Sequence, residues 1–429
     1  MENGNLREAK LKDFDPEVWE IIENQMHDDE TTIDLIASDN FFPKADYKAQ
    51  GAPMSGRYSE GYPGARFYRG QKNVDELERL AIERAKEVFG AEHANVQPYS
   101  GSIANIAALR ALAMPGETIL GMSLDAGGHL SHGSIVHITG DIYEAEHYGV
   151  NSDGWLDYDA IRKMALEVRP RVIICGASAY PRMIDFSKFG KIADEAKAYL
   201  VADIAHIAGL VAAGIHPSPI PYCDVVTTTT HKTLRAMRGA MILCKKEDRL
   251  RPGSKKTLAD RIDSAVFPGI QGGPIVPTIA AIAVGLKQCM TDEYREYERQ
   301  IVANSKALAA GLMEHSFNLI TGGTDNHLML VDLRDKGVDG DYASAILEEA
   351  GIISNKNKIA GDKSAKRPSG IRFGTPAATT RGMKEKEMGT IADWIHHILL
   401  HPQNVTLRKD IREEVRQLCL KFPIYVRTY

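Results

Sequence analysis

The chain has 429 residues, 44% hydrophobic and 25% charged. These proportions set aside fibrous, disordered and coiled-coil architectures and leave room for about two to three domains. Its 52 Lys and Arg against 57 Asp and Glu give a formal net charge of -5, which excludes a chain-wide electrostatic footprint for nucleic acid or anionic lipid.

In chain order, the opening MENGNLREAKLKDFDPEVWE is polar and acidic, unlike a secretory or transit leader. No run reaches the roughly 18 apolar residues of a membrane span, so a cytoplasmic protein is expected. From Val74 to Phe89 the apolar residues recur at helical spacing, with Asn73 and Glu76 placed to cap the start and Gly90 to stop the end. A Gly/Ser-rich turn follows. Apolar, β-rich runs at 117–122, 171–177, 198–204, 223–230 and 239–245 then alternate with helical patterns, which predicts an α/β fold with a mostly parallel sheet covered on both faces.

AVFPGIQGGP at 265–274 interrupts this pattern, and the long helical stretch after it is the place for a domain junction. HLMLVDL, SGIRFGT and helical patterns around 341–350, 383–400 and 405–420 fit a smaller α+β domain. The expected organisation is an N-terminal arm over 1–35, a large domain over 36–280 and a small C-terminal domain over 281–429. The five cysteines, Cys175, Cys223, Cys244, Cys289 and Cys419, are scattered and form no C-x-x-C pair. Reduced core thiols are therefore expected, with no cysteine zinc site.

Ligands of parallel α/β sheets sit beyond the carboxyl ends of the strands. Asp203 stands at the tip of AYLVADI, Ser178 just past VIICGA, and His231 and Lys232 at the tip of DVVTTTT. A lysine there can form a Schiff base with an aldehyde cofactor, and a carboxylate can hold a pyridine nitrogen protonated, the pairing that pyridoxal 5'-phosphate (PLP) requires. A solvated lysine and a helix N-cap are the plainer readings of the same two residues.

Ser100-Gly101-Ser102 ahead of IANIAALRALA offers backbone N–H groups at a helix N-terminus, suited to a phosphate or to an ordinary serine cap. GGHLSHGSIVH brings His129, His132 and His137 close together without a recognised metal spacing, so no metal is expected; His129 reads as a plate over a cofactor ring. RYSEGYPGARFYRG sets Glu60 among Tyr58, Tyr62 and Tyr68 in an irregular loop, where a carboxyl can act as general acid or base or the loop can be a packed turn. Arg372 in SGIRFGTPA can clamp a carboxylate or make a structural ion pair.

From about Thr32 onward these motifs together resemble the serine hydroxymethyltransferase family of fold-type I PLP enzymes. RYSEGYPGARFY, VQPYSGSIAN, GGHLSHG, VADIAHIAGLVAAG, VVTTTTHKTLR, GGTDNHL and SGIRFGTPA occur in the family's order. The resemblance implies transfer of the serine hydroxymethyl carbon to tetrahydrofolate as co-substrate, leaving glycine. It places the Schiff base on Lys232, the pyridine partner at Asp203 and the stacking ring at His129. Ser100, Gly101 and Ser102 would hold the phosphate with Gly272 and Gly273 of a neighbouring subunit, and Ser178 and His206 would meet the ring's 3-hydroxyl side.

The same resemblance assigns the amino acid carboxylate to Ser38, His231 and Arg372, acid/base work to Glu60 with Tyr58 and Tyr68 beside it, and folate to Leu124, Leu130 and Asn357. Tyr58 and Glu60 would reach the other subunit's site, so a homodimer, or a tetramer built from it, is expected. Ala126, Phe67, Arg69, Tyr99, Asp39, Ala236-Met237 and the 358–371 loop depart from the family's usual residues. A folate-independent threonine aldolase or transaldolase, or an α-methylserine-forming member, stays open for that reason. A third reading takes the basic RLRPGSKKTLADR at 249–261 as an RNA-binding segment, but no aromatic residues interleave it to stack on bases.

Overall fold

A computed structural model describes residues 8–362 and 366–425. Seven strands form the central sheet: β1 (His93–Asn95), β2 (Thr118–Met122), β3 (Glu144–Tyr148), β4 (Val172–Cys175), β5 (Tyr199–Asp203), β6 (Val225–Thr229) and β7 (Ala240–Cys244), in the spatial order β1-β7-β6-β5-β4-β2-β3. Only β7 runs against its neighbours; the pairs from β6 through to β3 are parallel. Each of the five apolar runs expected as a strand is one. The two that the hydrophobic pattern does not announce are the edge strands β1, which is three residues long, and β3, whose EAEHY alternates polar and half-buried positions.

The strands alternate sides with the period of two that the pleat imposes. Ile173 and Cys175 join Leu120, Leu200 and Val226 in one core, while Val172 and Ile174 join Ile119, Val201 and Ile242 in the core on the opposite face. Fully burying side chains of this size is worth about 1.5–3 kcal/mol each, so a one-residue slip of register would invert both cores. Helix α1 (Lys72–Phe89) packs on the first face through Ala81, Ala85 and Phe89, and α2 (Gly101–Leu112) on the second through its alanines.

Gly90 ends α1 in the left-handed conformation, as the sequence predicts. Asn73 and Glu76 do not cap its start, because the helix already begins at Lys72. The side chain of Gln71 is engaged with the preceding loop, donating to Tyr58 O at 2.9 Å and accepting from Ser59 Oγ at 2.9 Å.

The long helix α3 (Asp292–Glu314) runs between two cores: Tyr294 and Val302 pack with the large sheet, whereas Leu308 and Leu312 pack in a separate cluster. That cluster covers a four-stranded antiparallel sheet of β8 (Asn318–Leu319), β9 (Leu328–Asp332), β10 (Asn355–Asn357) and β11 (Gly370–Gly374). Helices Gly340–Glu349, Glu385–Leu400 and Val405–Cys419 complete it, close to the three helical patterns read from the sequence. Ile33–Asp34 pairs with Ile352–Ile353, tying the N-terminal segment to this smaller unit. Residues 1–7 of the expected arm, 363–365 of the altered loop and 426–429 at the end lie outside the described residues.

All five cysteines are buried and free. No helix among the described residues is long and apolar enough to cross a membrane.

Candidate active site

The carboxyl ends of β4, β5 and β6 open into a cavity of ≈ 370 Å³. Its wall brings together eleven of the expected site residues. Ser100, Gly101 and Ser102 stand at the N-terminus of α2, and Ser178 follows β4. Asp203 and His206 come from the end of β5, His231 and Lys232 from the end of β6. Ser38, His129 and Arg372 close the remaining sides.

Two glycines show why the strand ends can meet this closely. Gly176 has φ +127, and a Cβ there would stand 2.0 Å from Asp203 O; a Cβ on Gly101 would stand 2.7 Å from Thr229 Cγ2. A φ this far into the positive region and so close an approach each leave no room for a side chain, which glycine lacks.

Asp203 is not a simple helix N-cap. Its Oδ1 accepts from Ala205 N at 3.1 Å, but its Oδ2 accepts from Asn105 Nδ2 at 2.7 Å and from His132 Nε2 at 3.0 Å. Asn105 is oriented in turn by Thr227 Oγ1, which donates to its Oδ1 at 2.6 Å. The backbone N–H of His129 donates to His132 Nδ1 at 3.3 Å, leaving Nε2 as the nitrogen that donates to the carboxylate. Burial works against the ionised acid, yet the hydrogen bonds from His132 and the Asn105 amide and the favourable electrostatics of the His132 and His129 rings outweigh it. The Asp203 carboxyl is held well below the usual carboxylate range.

The amine of Lys232 shows the opposite balance. Burial disfavours its charge, Arg372 and Arg238 add to that, and Asp203 only partly compensates, so its pKa falls to about 8. Its carbonyl accepts from Asn40 Nδ2 at 2.9 Å, fixing the turn that carries it. Burial also brings His129 down to about 4, and His231 to about 3 with help from Arg238 and Lys232. The Nδ1 of His231 is buried and makes no hydrogen bond among the described residues. Arg372, brought down to about 10 by burial, donates from Nη1 to Ser178 O at 2.7 Å and from Nε to Asn355 Oδ1 at 3.1 Å, which sets its plane against the cavity.

Tyr58, Glu60, Tyr68, Gly272 and Gly273 are gathered elsewhere on the same chain. Glu60 Oε1 is 3.4 Å from where a Cβ on Gly272 would be, Tyr58 Cδ1 is 3.5 Å from the same point on Gly273, and the Tyr58 and Tyr68 rings are 5.8 Å apart. Tyr58 and Tyr68 are exposed. Tyr99, next to Ser100, reaches this second group by donating to Gly273 O at 2.6 Å.

The residues expected to meet folate are outside the cavity wall as well. Leu124 and Leu130 are exposed on two short turns, and Asn357 is half-buried in β10. There the altered loop closes on the first turn, with Lys358 Nζ 2.5 Å from Asp125 Oδ1. Ala126, Ile359 and Ala360 share a small pocket beside that ion pair.

Of the remaining departures, Asp39 stands on the cavity wall beside Ser38, where its charge acts on Lys232 and Arg372, and Ala236, Arg69 and Phe67 have simple surroundings. Ala236 is fully buried with its Cβ 2.2 Å from where a Cβ on Gly285 would be, so it depends on glycine there. Arg69 is exposed, and Phe67 is exposed with its edge toward Phe267 at 5.7 Å. In the 249–261 segment, Arg249 pairs with Asp224 at 2.8 Å and Arg261 with Asp248, so two of its cations serve the fold. Among the described residues, no group of three or more His, Cys, Asp or Glu is placed to hold a metal ion.

Asn105, His132 and Thr227, none of them assigned a role from the sequence, complete the setting of Asp203. His132 had a signal in the GGHLSHG cluster. Asn105 and Thr227 had none, since the one lies in an alanine-rich helix and the other in a threonine run. The sequence model of the family described as serine hydroxymethyltransferase matches residues 11–395.

Proposed function

The chain belongs to the serine hydroxymethyltransferase family of PLP-dependent, fold-type I transferases, and from that premise we propose that it interconverts serine plus tetrahydrofolate with glycine plus 5,10-methylenetetrahydrofolate. The observation that carries this reading is one cavity holding a lysine of lowered pKa, an ionised aspartate and a helix N-terminus lined by serines. These groups fit PLP. The Ser100-Gly101-Ser102 turn at the start of α2 suits its phosphate, Asp203 its pyridine nitrogen, and the orphaned Nδ1 of His231 is a polar atom that a ligand can satisfy.

When bound, PLP supplies an electron sink for charge developing at the amino acid α-carbon. Lys232 provides the attaching amine, and its lowered pKa makes it a nucleophile near neutrality. Asp203 keeps a proton on the ring nitrogen, while Asn105 and His132 hold its carboxylate in place. Arg372 would meet the substrate carboxylate together with Ser38 and His231, and His129 would lie against the cofactor ring. Glu60 moves the proton at the substrate hydroxyl, with Tyr58 and Tyr68 around it.

Because Glu60, Tyr58, Gly272 and Gly273 lie together off the cavity of their own chain, we assign them to the site of a second copy. Tyr58 and Phe67 beside this group are exposed apolar side chains available to such a contact, and Ile135 and Val136 are exposed elsewhere on the chain. Glu60→Gln is expected to keep PLP bound and to lower turnover about a hundredfold or more. Mixing that variant in equal amounts with Lys232→Ala is expected to restore about a quarter of wild-type activity, because half of randomly assorted dimers carry one intact site. No recovery after verified subunit exchange would overturn the shared site.

The neutral amine is the attacking form, so capture of PLP by the cofactor-free chain should quicken as pH rises and level off above about 8. Stopped-flow absorbance between pH 6 and 10 checks this, and a rate flat across that range contradicts the assignment of Lys232.

A second reading is favoured by the Lys358–Asp125 ion pair, which joins the turn bearing Leu124 to the loop after Asn357 across the expected folate positions. In that reading the same PLP site makes or breaks β-hydroxy amino acids without folate. Release of α-tritium from labelled glycine separates the two. Strong stimulation by tetrahydrofolate supports hydroxymethyl transfer, and indifference to it, with acetaldehyde released from threonine, supports the aldolase.

A further inference from the structure

GGTDNHL is a motif shared with the family that the proposed mechanism leaves unused. Its residues leave the small sheet and grip the segment beyond Ser178. Asn326 Nδ2 donates to Tyr180 O at 2.9 Å, Asp325 N to Pro181 O at 2.8 Å, and Arg182 Nη1 to Asp325 Oδ1 at 2.8 Å. The motif thereby delivers His327, fully buried, against His206 on the cavity wall. The two rings stack with centroids 5.5 Å apart and 26° between planes, and His206 Nδ1 lies 3.3 Å from His327 Nε2.

One proton occupies that contact, and the far side of His327 decides which ring supplies it. His327 Nδ1 is buried without a hydrogen-bond partner among the described residues. A bare lone pair tolerates that position better than an N–H, since orphaned buried donors are the rarer defect. His327 therefore carries its proton on Nε2 and donates to His206 Nδ1. A neutral His206 then carries its own proton on Nε2, the nitrogen left for the cavity.

Both rings stay neutral. His206 is faced by Lys232, Arg372, His327 and His129, and His327 by Arg372, Lys232 and His216; burial first, then the Lys232 and Arg372 cations and the neighbouring rings, hold both imidazoles well below the ordinary histidine range.

We propose that His327 is a positioning residue that fixes the tautomer of His206, so that His206 presents an Nε2–H donor to an anionic oxygen of the bound ligand. On the PLP reading, on which this ligand assignment rests, that oxygen is the 3-oxygen of the pyridine ring. The small unit thus contributes to cofactor chemistry through a residue that never lines the cavity.

The test compares PLP with 3-deoxypyridoxal 5'-phosphate, which lacks that oxygen, in full-length wild type, His327→Leu and His327→Gln. A hydrogen bond to an anion is worth enough that His327→Leu should weaken PLP about tenfold or more. It should leave the deoxy analogue within about threefold, since no partner oxygen is present to lose. His327→Gln keeps a donor amide near the Nε2 position and should bind both ligands like wild type. Equal weakening of both ligands, or a Gln variant as impaired as Leu, would overturn the assignment.

Nitrogen-15 NMR of histidine-labelled cofactor-free protein reads the tautomer directly, with the His206 signal identified from its loss in His206→Gln. His206 protonated on Nε2 in wild type and redistributed in His327→Leu supports the proposal; protonation on Nδ1 in wild type overturns it. A wild-type chain that bound neither compound would remove the PLP reading, while the NMR result would still decide the role of His327.

Discussion

Lys232→Ala is expected to reduce turnover by at least about a thousandfold, since covalent catalysis through that amine has no substitute in the cavity. The visible absorbance of the PLP-loaded protein should be lost with it, and borohydride should no longer fix the cofactor to the chain. The fold has little stake in this side chain. Lys232 is half-buried on the cavity wall, and the structural contact of the residue is its carbonyl, which accepts from Asn40 and survives the substitution. Removing an amine whose charge is disfavoured by burial should leave the melting temperature near that of the wild type. A variant that kept a reducible linkage to PLP would show that another lysine carries the cofactor.

Asp203→Asn is expected to lower kcat about a hundredfold to a thousandfold, with KM changed much less, because a neutral amide cannot hold the cofactor's ring nitrogen protonated. The substitution keeps the volume and the acceptor for Ala205 N, so the strand end should stay in place. What it removes is an ionised group fed by two donors, Asn105 Nδ2 and His132 Nε2. Charge-assisted bonds of this kind are worth about 1.5–3 kcal/mol each. Asp203→Glu should recover part of the rate, as it restores charge at a displaced position. Steady-state kinetics with serine, together with cofactor content by absorbance, checks the prediction. A wild-type kcat in Asp203→Asn would remove Asp203 from the mechanism.

For stability the sign follows from the lowered pKa of Asp203. A carboxyl ionised more readily in the folded chain than in the unfolded one contributes stability above its unfolded pKa, about 3.9. That contribution is lost as pH falls toward the folded value. Asp203→Asn should therefore flatten the acid side of the cofactor-free protein's stability profile, measured by urea denaturation from pH 3 to 7.

Much of the site is legible in the sequence because strand ends and helix starts are local features. Asp203, His231 and Lys232 follow β-rich runs, and Ser100 precedes a helix, so their placement at one sheet edge follows from α/β topology. Partnerships between distant segments are not local. Asn105 and His132 approach Asp203 from 98 and 71 residues away, and His327 approaches His206 from 121. No periodicity in a single chain encodes which polar side chains meet across such distances.

The sequence by itself determined the mostly parallel sheet and its two-sided cover, and it named the polar residues at the strand ends. Hydrophobic period and turn chemistry act over a few residues and need no partner to be read. Tertiary structure alone decided the ionisation of Asp203, the lowered pKa of Lys232, the separation of Glu60 from its own chain's cavity and the stacking of His327 on His206. Each of these depends on burial and on charges brought within a few ångströms by the packing of strands and domains, and that distance is a property of the folded chain.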